Sequence, residues 1–151
     1  MKNELKKLFS LPKELIIEKV EDKSKQRLIE VSCRIKKRKI LCPYCAGKVS
    51  GYDHVKTRLR HTIIDGKTVY LKISKKRFYC KKCQRVFTDQ LAGLDKNYSS
   101  DHFIQLVQEK ARNNDYSSVA RETGISSPTV SRMIDLLNTN KIYLPKKRES
   151  V

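Results

Sequence analysis

Four cysteines in two Cys-x-x-Cys pairs, Cys42-Pro43-Tyr44-Cys45 and Cys80-Lys81-Lys82-Cys83, have the clearest chemistry in this chain. Two such pairs supply the four soft thiolates that a tetrahedral structural zinc ion takes. The cysteines number five, and the amino terminus lacks the continuous apolar stretch of a secretory signal. Metal ligation is therefore favoured over disulfides. His54 and His61 lie between the pairs and could ligate in principle; with four thiols at hand they are expected at the surface or behind the ligands. One structural Zn2+ held by Cys42, Cys45, Cys80 and Cys83 is the expected cofactor.

The elements around the pairs must bring them together. Between Cys45 and Cys80 lie 34 residues, longer than the roughly 15–20 of the simplest four-cysteine template. An inserted hairpin accounts for the excess. His61–Ile64 and Thr68–Ser74 flank Asp65-Gly66-Lys67, a hairpin signal because glycine takes positive φ readily. Val69, Leu71 and Ile73 alternate with Tyr70, Lys72 and Ser74, as in a half-buried strand. Lys75-Lys76 is expected to turn the chain into Arg77-Phe78-Tyr79 and the second pair. Upstream, a short helix is expected within residues 1–12. Strands Leu15–Val20 and Leu28–Ile35 follow as a hairpin, with Cys33 a buried structural thiol on the apolar face. So small a ribbon is expected to draw the missing folding free energy from its metal.

The 151 residues carry 34 Lys and Arg against 16 Asp and Glu, a formal charge of +18. Residues 1–100 hold 26 of these cations against 10 acids, the remainder 8 against 6. Zinc with four thiolates carries −2, which Lys48, Lys81, Lys82 and Arg85 are placed to offset; the corrected total is +16. A surplus of this size points to an anionic partner, with nucleic acid first among them. The run Lys36-Lys37-Arg38-Lys39 reads either as a solvated strand end or as a phosphate contact.

Beyond residue 98 the pattern becomes helical. Ser99-Ser100-Asp101 opens a helix with Phe103, Ile104, Val107 and Ala111 on its apolar face, ending at Asn113-Asn114-Asp115. Then come a small Ala120, a turn-forming Gly124, an apolar Ile125 and a second apolar face at Val130, Met133 and Ile134. Ser127-Pro128 reads as N-cap and first-turn proline. These spacings form a helix-turn-helix signature whose second helix would turn Ser127, Thr129, Ser131 and Arg132 toward DNA.

The Cys-Pro-Tyr-Cys pair, the His54, Arg58 and Arg60 strand region, the Arg77–Asp89 block and the helix-turn-helix together resemble the amino-terminal part of ISL-three type insertion-sequence transposases. The resemblance implies a four-cysteine zinc ribbon plus helix-turn-helix that recognises the terminal inverted repeats of a mobile element. The catalytic Asp-Asp-Glu domain of that family has no counterpart here, so the chain is expected not to be an enzyme.

The expected architecture is α+β, a small β-rich zinc ribbon followed by helices. It divides into an N-terminal helix and hairpin (1–40), the ribbon (41–89), a linker (90–98), the helix-turn-helix (99–140) and a basic tail (141–151). The expected partner is double-stranded DNA, met through Ser127, Thr129, Ser131, Arg132, Lys36, Lys37, Arg38, Lys39, Arg58 and Arg60. A homodimer or a full-length transposase is the expected protein partner, with no membrane association. Such a chain would work in the bacterial cytoplasm, at the nucleoid when bound. A standalone transcriptional regulator or transposase repressor is the alternative reading.

Overall fold

The computed structural model describes residues 2–95 and 98–143, with side chains described over residues 4–95 and 98–136. Two compact units divide the chain, Met1–Ser100 and Asp101–Val151. In the first, helix α1 (Lys2–Leu8) precedes six strands: β1 (Leu15–Lys23), β2 (Leu28–Ile35), β3 (Val49–Ile64), β4 (Lys67–Cys80), β5 (Arg85–Thr88) and β6 (Tyr98–Ser99). They form a single sheet in the order β1-β2-β4-β3-β6, with β5 beside the far end of β4.

Local chemistry explains the two hairpins. A short 3-10 turn over Ser24–Gln26, closed by Arg27 at φ 56°, joins β1 to β2. Between β3 and β4, Asp65 (φ 50°) and Gly66 (φ 73°) both take positive φ. This two-residue turn has the twist that antiparallel strands require. Parallel pairing of β2 with β4, from Leu28 opposite Thr68 to Arg34 opposite Ser74, joins the hairpins into one sheet. The boundary expected at residue 40 therefore does not separate domains.

Period-two alternation gives the sheet one apolar face. Val31, Cys33, Leu59, Val69, Leu71 and Ile73 are buried there with Leu15 and Ile17, beneath Phe9. Leu91 and Leu94 complete this core, and β6 pairs with β3 at Leu59 and Arg60. Leu91 and Leu94, from the segment expected as a linker, are thus packed onto the sheet. Nor does the chain turn at Lys75-Lys76: β4 runs through both. Lys75 is 2% exposed, its ammonium donating to Leu94 O at 3.0 Å and to Gln90 Oε1. Burial holds the Lys75 pKa below its ordinary value, and those acceptors keep the strand from breaking.

The second unit contains α2 (Asp101–Ala111), α3 (Tyr116–Thr123) and α4 (Ser127–Tyr143). Phe103, Val107, Val119, Val130 and Met133 are buried, and Gln108 Nε2 donates to Met133 O at 2.8 Å. Asp115, expected only to end α2, caps α3 by accepting from Ser118 N at 2.7 Å. Gly124 ends α3 at φ 73°, with its N–H on Ala120 O at 2.9 Å, and Ile125 is buried as expected. The capping hydroxyl of α4 belongs to Ser126, which accepts from Thr129 N at 3.3 Å. Ser127 therefore lies in the first turn, one position past its expected role, because the connection from α3 is only three residues long. From residue 144 onward the expected basic tail lies outside the described residues.

Candidate metal centre and nucleic-acid surfaces

The two knuckles repeat one conformation. Ala46 N donates to Cys42 O at 2.8 Å, and Gln84 N donates to Cys80 O at 2.8 Å. Both residues take φ 59°, which folds each loop back on itself. Cys42 N donates to Gly47 O at 3.0 Å, and Leu41 bridges Lys48 to close the first knuckle. Cys80 ends β4 and pairs with Val49 at the start of β3 and with Arg85 at the start of β5. That register brings the first knuckle against the second.

The Sγ atoms of Cys42, Cys45, Cys80 and Cys83 consequently lie within 4.8 Å of one another. Cys42 to Cys83 and Cys45 to Cys80 are each 3.5 Å apart. A tetrahedron of sulfurs about 2.3 Å from a zinc ion has edges of about 3.8 Å, so this cage fits one structural Zn2+. Four protein ligands leave no open coordination position, which suits structure rather than catalysis. Hydrogen bonding, chiefly from the Cys83 backbone amide, pulls the Cys80 thiol down to about 7, while burial pushes Cys83 up to about 12. Zinc binding displaces the protons that the four thiols still hold.

Around the cage, Lys48, Lys81 and Lys82 are exposed. The Arg85 guanidinium lies 4.4 Å from the Tyr44 ring centroid, tying one knuckle to the other. No local pattern announces that pair, since 40 residues separate its members in the sequence. The remaining thiol, Cys33, is 1% exposed, and burial, aided by the Glu18 charge, pushes it up to about 12. It is a structural core residue, as expected. His61 is buried: Nε2 donates to Ser10 O at 3.0 Å, leaving Nδ1 to accept from the Ser100 hydroxyl at 2.8 Å. His54 is exposed on β3 opposite Lys76. Neither belongs to the thiol cluster.

The expected DNA-contacting residues fall into three groups. Arg38 is tied into the fold, donating to Asp89 and to Gln90 O at 2.9 Å, whereas Lys36, Lys37 and Lys39 are exposed. Arg58 donates to the buried carboxylate of Glu30 at 3.2 Å and lies 3.8 Å from the Tyr70 ring centroid. Arg60 shares that sheet face opposite Tyr70, its Nε buried with no hydrogen-bond partner among the described residues. On α4, Arg132 is exposed and donates to Thr129 Oγ1 at 3.0 Å, and the Thr129 hydroxyl also meets Ser126 Oγ at 2.8 Å. Ser127 and Ser131 are half-buried beside them.

Residues 38–83 match the family model for the zinc finger of transposase IS204/IS1001/IS1096/IS1165. This stretch is similar to a transposase zinc ribbon. The match covers under a third of the chain and contains both knuckles with the β3–β4 hairpin between them. No curated protein and no solved structure matches the chain. No helix among the described residues is long and apolar enough to cross a membrane.

Proposed function

We propose that the protein is a zinc-dependent, sequence-specific binder of double-stranded DNA, akin to the end-recognition part of an insertion-sequence transposase. One observation carries this reading: the stretch similar to a transposase zinc finger folds into a four-thiol cage ready for zinc. In this reading α3 and α4 act as a helix-turn-helix, with Thr129 and Arg132 near the start of α4 reaching base edges. Ser127 and Ser131 flank them. The formal charge of +18 supports an anionic partner. The closed cage supports a structural role for the zinc, bracing the surface around it.

The test uses the zinc-loaded full chain and a duplex selected by the protein from random sequence, with a shuffled duplex for comparison. Thr129→Ala and Arg132→Ala are each expected to lose about 1–3 kcal/mol of discrimination between the two. Equal weakening on both duplexes would place these residues on phosphates and reject them as readers. If the selection yields no preferred duplex at all, sequence-specific recognition is wrong.

A further inference from the structure

The sheet face opposite the apolar core has a pattern the fold itself does not need. Strand pairing places Arg58, Lys72, Ser32 and Lys19 in one row across four strands, and Lys56, Ser74 and Arg34 in the next. One step further, His54 stands opposite Lys76. Like charges directly opposite one another destabilise a sheet. Glu30 offsets part of this repulsion by accepting from both Lys23 and Arg58. Lys56 and Lys72 are exposed and make no ion pair among the described residues. Where the face ends, a groove of 490 Å³ opens between β4 and the chain leaving β2, with Lys36, Lys37 and Lys76 in its wall.

The aromatic rings on this face decide which anion fits. Proteins that hold single strands offer bare rings on which bases stack. Here Arg58 covers Tyr70, and Phe78 stacks on Phe87 with ring centroids 5.7 Å apart and the Lys76 ammonium 5.4 Å from its own centroid. Neither ring is left bare for a base. Cations without a stacking platform suit the outside of a duplex, where only phosphates are presented.

We propose that this open sheet face is a sequence-blind seat for the sugar-phosphate backbone of duplex DNA, with Lys56, Lys72 and Lys76 as its main phosphate contacts. The proposal rests on the reading of the chain as a DNA-binding protein. It assigns general affinity to the first unit, separately from any base reading by α4. From the basic run, Lys36, Lys37 and Arg38 stand in the wall of the groove, not at the centre of the seat.

The experiment compares zinc-loaded wild type with Lys56→Gln/Lys72→Gln/Lys76→Gln and with a charge-matched control, Lys6→Gln/Lys7→Gln/Lys13→Gln. Zinc content and thermal melting establish that each variant is folded. Affinity is measured against salt on a duplex of arbitrary sequence. Loss of three phosphate contacts should lower the slope of log K against log salt by about 2.7, since each contact contributes about 0.9. The control should keep the wild-type slope. An unchanged slope in the sheet-face variant, or an equal change in the control, overturns the proposal while leaving DNA binding intact. Equal or tighter binding of a single strand of the same length overturns the choice of duplex. Failure of the wild type to bind any duplex would remove the underlying DNA-binding reading as well.

Discussion

Ala46 and Gln84 hold equivalent places, each directly after the second cysteine of its knuckle and each at φ 59°. An L-residue in this left-handed region costs about 1 kcal/mol relative to glycine's freedom there. Gln84→Gly is therefore expected to raise the thermal unfolding midpoint and to leave one zinc per chain; a lowered midpoint would mean the Gln84 side chain contributes more than its backbone strain costs. Replacing Cys42 or Cys80 with Ser should remove the metal, because three thiols no longer close the cage. Cys33→Ser should keep a full equivalent of zinc, checked by elemental analysis, yet melt earlier because a hydroxyl would be buried in an apolar core. The four ligands were legible because residue type and spacing alone announce them. The shared knuckle conformation was not, since neither Ala nor Gln advertises a positive φ.

Among the elements, α3 depends on a residue its neighbours disguise. Asp115 follows two asparagines and reads as the end of α2, yet its carboxylate caps α3. The Ser118 amide, then the Ser118 hydroxyl, holds the Asp115 pKa below its ordinary value. A depressed folded-state pKa means the cap stabilises at neutral pH, above the unfolded value. That contribution disappears as the pH falls below about 4 and through the lowered native value. Asp115→Ala should thus melt earlier than wild type at pH 7, and calorimetry should show the gap closing in acid; a gap independent of pH would reject the capping role. The long strand β4 was half legible. Val69, Leu71 and Ile73 announced its first part, but Lys75 looked like a break because its acceptors, Gln90 and Leu94, lie 15 and 19 residues downstream. Local pattern does not reveal a buried lysine satisfied from so far along the chain.

At the scale of the whole molecule, the first unit has a larger core than the sequence suggests. The main core of the first unit comprises 11 buried residues and includes no ligand cysteine, so most of the sheet has its own source of stability. Chelation should therefore open amides in the knuckles to hydrogen exchange while those of β2 and central β4 stay protected. Simultaneous exchange of both regions would restore the view that metal holds the entire unit together. The ribbon was visible in the sequence as a separate module because its cysteines stand out. Its merger with the upstream hairpin was not, because parallel pairing of Leu28–Arg34 with Thr68–Ser74 is a long-range choice with no local signature. The unbroken course of β4 has one more consequence. Its 14 residues span about 43 Å from turn to metal, at about 3.3 Å per residue, with no hinge between. A stiff member of that length acts as a ruler: at about 3.4 Å per base pair it limits the stretch of duplex that can lie along the strands to about 13 base pairs. Hydroxyl-radical footprinting should find the protection lost in the Lys56/Lys72/Lys76 variant confined to a window no wider than this.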